Sequence, residues 1–190
     1  MKKRNIFQNQ SQEILAVFEM AGNRSKVMCV PMDYAKKDHV VMFCNGNGKI
    51  IRKPFSVKNA PEGKNFLLDQ VSKSCRRHGI KPEYVFYGGE DCGSYADNFI
   101  FALRSENCLV AGVNACDAKK HRDNKQASTD TLDLLGVCKM LLSCKGNCSP
   151  AQTGIYWNLR MLVRQRRKLV QMATGRSGRR ARRRGYRRPD

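Results

Sequence analysis

At 190 residues the chain is long enough for one sizeable domain and an appendage. Its 41% hydrophobic and 27% charged residues are a globular composition, and no run approaches the ~20 apolar residues that span a bilayer, so no membrane-spanning helix is expected. The formal net charge is +20, and thirteen of the 36 lysines and arginines fall in residues 160–190, where Asp190 is the only acid. That density points to a polyanionic partner, and nucleic acid is the commonest one. The basic start "MKKRN" leads into no apolar run or small-residue cleavage site, so it is not a secretory signal and a cytoplasmic protein is expected.

In chain order, residues 8–22 ("QNQSQEILAVFEMAG") predict a short helix with Ile14, Val17 and Phe18 at helical spacing and Gly22 near its end. "KVMCVPMD" predicts a strand, although Pro31 cannot donate to a ladder and is expected at an edge or a bulge. "HVVMFCNGNGKIIRKPFSV" is a hairpin signal, two apolar runs around "NGNG". An amphipathic helix follows from Lys64 to His78, with Phe66, Leu67, Val71 and Cys75 on one side. Asn59 and Glu62 are spaced as an N-cap and its capping-box partner.

The next strand, "EYVFYGGE", ends in Glu90, and a helix is expected from about Tyr95 to Arg104 before a further strand, "NCLVAGVN". Residues 115–126 read as helical and charged, and "STDTLDLLGVCKMLLS" as a helix capped by Ser128 or Thr129. From Ala151 to about Ala173 a longer helix with a basic face is expected, carrying Arg160, Arg164, Arg167 and Lys168; beyond "TGRSG" the sequence becomes arginine-rich and of low complexity. Nine cysteines are scattered without a CxxC pair, which predicts buried or incidental thiols rather than zinc.

Three consecutive strands followed by alternating helices and strands predict an α/β domain with a mixed sheet, the outline of a ribonuclease H-like fold among other α/β layouts. Asp33 and Glu90 both end apolar runs, and open α/β sheets gather functional groups at the carboxyl ends of their strands. Asp130 and Asp133 are three apart on one predicted helix and so share a face. Taken singly, Asp33 also reads as a turn residue, Glu90 as a loop acid, and the helical pair as favourable partners of the helix dipole. Brought together, two carboxylates at ~4 Å would repel by about 4 kcal/mol at an effective dielectric of 20, which favours raised pKa values or divalent cations between them.

The stretches "VPMDYAKKDHVVMFCNGNGKIIRKPFSVKNAPEGKNFLL", "YVFYGGEDCGSYADNFIFALR", "VNACDAKKHRDNKQASTDTLDLLG" and "IYWNLRMLVRQRRKLV" resemble the N-terminal domain of the insertion sequence 110 family of transposases, the DEDD recombinases. The resemblance covers roughly residues 25–172 and implies a RuvC-like, ribonuclease H-like mixed sheet flanked by helices and followed by a long basic helix. It implies domain limits of 1–24 for an N-terminal helical extension, 25–148 for the DEDD domain, 149–173 for the basic helix and 174–190 for an arginine-rich disordered tail.

It further implies that Asp33, Glu90, Asp130 and Asp133 coordinate Mg²⁺ or Mn²⁺ for DNA strand cleavage and transposition. Lys36, Lys37, Lys119 and Lys120 are then candidates for phosphate contact, beside the basic helix. Implied partners are DNA, a guide-type RNA and further copies of the chain; no membrane and no small-molecule substrate are expected. Family members carry a C-terminal domain with a serine nucleophile, and "MATGRSGRRARRRGYRRPD" does not resemble their helical continuation. A truncated or frameshifted copy is therefore expected, unable to transpose alone. The alternative is a catalytically inactive remnant that only binds nucleic acid.

Overall fold

A computed structural model of the chain describes residues 10–90, 96–121, 130–148 and 155–184, with backbone alone for Asp130, Tyr156, Trp157 and residues 175–184. The chain divides into two compact units, Met1–Ser149 and Pro150–Asp190. The first holds a five-stranded sheet of β1 (Met28–Asp33), β2 (Asp38–Asn45), β3 (Ile50–Lys58), β4 (Val85–Glu90) and β5 (Leu109–Val113), in the order β3-β2-β1-β4-β5. The first three strands are antiparallel neighbours, and β4 and β5 run parallel to β1. This is the ribonuclease H-like layout, a mixed sheet with helices on both faces.

Strand alternation divides the apolar side chains between two cores. Met28, Val30, Met32, Val41, Phe43, Val85, Tyr87 and Val110 face α2 (Pro61–His78) and α3 (Asp97–Ser105), which supply Leu67, Val71, Cys75, Phe99 and Leu103. Val27, Cys29, Met42, Cys44, Phe86, Ala111 and Val113 face α1 (Gln12–Ala21), α4 (Ala115–Lys120) and α5 (Asp130–Leu142). In α2 the buried row is Leu67, Val71 and Cys75, four residues apart; Phe66 lies off that row and is 43% exposed, against the expectation that it joins it.

Pro31 is not at an edge. β1 is the central strand, and its ladder to β2 pairs Met28, Cys29, Met32 and Asp33 but passes over Val30 and Pro31. The interruption accommodates the missing N–H, while on the other side Pro31 stays in register with Gly88. The β2–β3 turn does use its asparagine-glycine sequence: Gly48 takes φ 84°, and Asn45 Oδ1 accepts from the Asn47 and Lys49 amides.

Asn59 is not the cap of α2. Ala60 occupies the N-cap, Pro61 opens the helix, and the Asn59 side chain turns back towards the β1–β2 turn. The expected caps of α5, Ser128 and Thr129, lie outside the described residues, as does the expected continuation of α4 past His121.

The second unit is the helix α6 (Ile155–Arg184). It runs beyond the stop expected at Ala173, so the segment from Thr174 to Arg184 is helical and not the expected disordered tail; residues 185–190 lie outside the described residues. Arginine is a good helix former, and two glycines at about 1 kcal/mol each do not outweigh a run of them. Among the described residues no other element belongs to this unit, and Ile155, Leu159, Leu162, Leu169 and Met172 are exposed.

Candidate metal centre

Asp33 and Glu90 are the last residues of β1 and β4. The parallel register pairs Met32 with Gly89, so the next residues along, Asp33 and Glu90, stand side by side on strands ~4.8 Å apart. Alternation puts both on the face of Cys29 and Phe86, the one covered by α5. Glu90 also pairs with Val113 at the end of β5. Both acids are half-buried, and Glu90 Oε1 is removed from solvent.

The helix α5 packs across this face. Its C-terminal end is fixed near the start of β1, where Arg24 Nη2 donates to the Leu142 carbonyl at 3.1 Å. The helix also packs on α4, which begins directly after β5. Leu134, Val137, Cys138 and Leu141 form its buried row, and Asp133 lies one turn before Val137 with Oδ1 removed from solvent. Asp130 opens the same helix, and its side chain is outside the described residues.

The close approach of α5 depends on a feature the sequence reading passed over, the pair Gly88–Gly89 before Glu90. A Cβ on Gly88 would lie 2.7 Å from the Ala111 carbonyl oxygen and 2.8 Å from Leu141 Cδ2. A Cβ on Gly89 would collide with the Met32 carbonyl oxygen and the Tyr34 ring on the opposite face. Two successive glycines in a strand are the signal for such an approach from both sides.

A second polar feature was also not anticipated. Tyr34, just after Asp33, faces the α2–α3 core, and its ring lies edge-on to the fully buried His39 at 5.4 Å between centroids. His39 packs against Phe99 at 4.5 Å, and its Nδ1 accepts from the Ala35 amide at 3.1 Å. Burial holds the imidazole below its ordinary pKa of 6.5. Asp97, at the start of α3, likewise has a carboxylate oxygen removed from solvent.

The predicted basic residues fall on three separate elements. Lys36 and Lys37 are exposed on the turn that follows Asp33. Lys119 and Lys120 are exposed in the last turn of α4, where Lys120 pairs with Asp117 at 2.8 Å. Arg160, Arg164, Arg167 and Lys168 lie on α6, in the other unit.

Residues 30–183 match the DEDD family of insertion sequence 110, described as transposase. The chain belongs to that family. No curated protein matches this transposase domain. Among solved structures it is similar to T. thermophilus RuvC in complex with a Holliday junction substrate. That likeness is at 9% identity and a TM-score of 0.40, over 64% of this chain and 98% of the other. It is also similar to an exopolyphosphatase from Cytophaga hutchinsonii, at 14% identity and a TM-score of 0.33, over 50% of this chain and 36% of the other.

For a divalent cation the donor chemistry of the transposase domain fits: Asp33, Glu90 and Asp133 offer oxygen alone, the preference of Mg²⁺ and Mn²⁺. Among the described residues no three His, Cys, Asp or Glu side chains are gathered closely enough to hold an ion by themselves. The thiols are not an alternative. The eight described cysteines are free, and Cys29, Cys44, Cys75, Cys138 and Cys144 are buried. No described helix is long and apolar enough to cross a membrane.

Proposed function

We propose that this transposase domain cleaves DNA strands with the help of Mg²⁺ or Mn²⁺ held by Asp33, Glu90, Asp130 and Asp133. The observation that carries the reading is the register of β1 and β4. It aligns two acids at adjacent strand ends, under the helix that bears the other two. Bound there, the cation supplies Lewis-acid stabilisation of the attacking and leaving oxygens of a phosphodiester. The chain's own part is to hold the carboxylates at the sheet edge, away from bulk water, and to bring a strand to them. Lys36 and Lys37 lie on the turn after Asp33 and are suited to grip the phosphates on either side of the scissile bond. A guide-type RNA and further copies of the chain are partners the family membership favours.

Calorimetric titration of the folded chain with Mn²⁺ tests the reading, on wild type and on Asp33→Asn and Asp133→Asn. The expected result is binding by wild type, weakened at least about tenfold in both variants. A folded wild-type chain that takes up no Mn²⁺ would overturn it.

A second reading is a nucleic-acid-binding module without turnover. The basic α6 favours it. Both readings predict DNA binding that weakens steeply with salt. Strand nicking that requires Mn²⁺ and disappears in Asp33→Asn belongs only to the first.

A further inference from the structure

The segment between β1 and β2 is only Tyr34 to Lys37, yet its backbone is held from two sides. From inside, His39 Nδ1 accepts the Ala35 amide at 3.1 Å. An acceptor Nδ1 puts the proton of the neutral ring on Nε2. The ring has no freedom to leave: it is fully buried, with Tyr34 and Phe99 edge-on to it at 5.4 and 4.5 Å. From outside, Asn59 Nδ2 reaches the Ala35 and Lys36 carbonyls, both at 3.4 Å, and the Asn59 amide donates to the Lys37 carbonyl at 2.8 Å. The turn thus has a donor and three acceptors engaged by His39 of β2 and by Asn59, directly after β3.

This turn is where the chain passes from Asp33, on the α5 face, to Tyr34, on the opposite face, and where Lys36 and Lys37 emerge. A peptide rotation at Ala35 would be felt at once by Asp33 on one side and by the lysines on the other. We propose that His39, assisted by Asn59, is a positioning residue of the metal centre. Through the Ala35 amide it fixes the turn, and so sets the direction of the Asp33 carboxylate and the place of the Lys36 and Lys37 ammonium groups. The inference rests on the reading of Asp33 as a metal ligand. Its own content is that an apolar ring of the same size does not replace His39.

The test compares His39→Phe, which keeps a ring between Tyr34 and Phe99 but has no acceptor, with His39→Asn, whose Oδ1 restores an acceptor near the Nδ1 position. Two quantities are read on the full chain: hydrogen exchange of the Ala35 amide without metal, and Mn²⁺ affinity by calorimetry. His39→Phe is expected to speed Ala35 exchange and weaken Mn²⁺ binding, each by about tenfold or more, and His39→Asn to recover most of both. A folded His39→Phe that binds Mn²⁺ like wild type would overturn the proposal while leaving the metal site standing. A wild type that binds no Mn²⁺ overturns the metal reading and this inference with it, whatever the amide does. Should His39→Phe fail to fold, Asn59→Ala, at the surface end of the same clamp, is expected to weaken Mn²⁺ binding about threefold to tenfold by loosening the same turn. Unchanged affinity in that variant would count against the clamp.

Discussion

The ring of Tyr34 fills the space that a side chain on Gly89 would need. Gly89 lies in β4 and Tyr34 just past the end of the neighbouring β1, and each directly adjoins an acid of the candidate site, Asp33 before Tyr34 and Glu90 after Gly89. Gly89→Ala therefore has to push either the tyrosine or the Met32 carbonyl aside. The expected cost is about 1–3 kcal/mol of stability, read as a lower denaturant midpoint at unchanged slope. A loss under about 0.5 kcal/mol would mean that the strand ends are freer than their packing suggests.

Gly63 presents the same argument at the start of α2. A Cβ there would collide with the Lys58 carbonyl at the end of β3. Gly63→Ala gains helix propensity of about 1 kcal/mol, yet the clash with backbone is expected to reverse the sign and leave the protein less stable. A thermal midpoint raised by the substitution would refute this.

Stability is expected to carry a signature of His39. Burial keeps its folded pKa below the ordinary 6.5, with Asn59 and Asp38 acting in the opposite sense. Below pH 6.5 the unfolded chain binds this proton more readily than the folded one, so the contribution is complete above 6.5 and is lost as the pH falls through that value towards the folded pKa. The slope reaches at most about 1.4 kcal/mol per pH unit. Denaturant unfolding of wild type and His39→Phe at several pH values between about 5 and 8 isolates it. A stability difference between the two that does not change with pH would exclude the histidine as the source.

Lys36 and Lys37 make a prediction about DNA that is independent of metal. If each neutralises one phosphate, Lys36→Ala and Lys37→Ala each lower the slope of log affinity against log salt by about 1, equally for unrelated sequences. Slopes unchanged in both variants would move the DNA track away from the β1–β2 turn.

Much of this was legible in the sequence because it depends on local pattern. Alternating apolar runs and an asparagine-glycine turn announce the hairpin, and "MCVPMD" and "VFYGGE" announce strands that end in acids. What escaped was set by neighbours distant in sequence. Pro31 argued for an edge, yet the strand is central because the ladder to β2 skips it. Asn59 had the spacing of a cap, but the carbonyls of Ala35 and Lys36 recruited it instead. His39 begins an apolar strand and looked like any alternating residue, since nothing in "DHVVMF" reveals that an amide four residues earlier needs an acceptor. Gly88 and Gly89 were visible as letters, but the helix and ring that press on them come from elsewhere in the chain.

Cys29 and Cys44 face each other across the central ladder, and Cys138 of α5 reaches both. Burial pushes the Cys29 thiol up, and the Cys138 thiol does the same to Cys44, so neither ionises near neutral pH. Cys116, by contrast, is exposed. The protein thereby contains its own clock for opening. A disulfide reagent should label Cys116 at once and Cys29, Cys44 and Cys138 only as fast as the helix α5 leaves the sheet, so that the labelling rate of these three thiols times the excursions of the layer that carries Asp133.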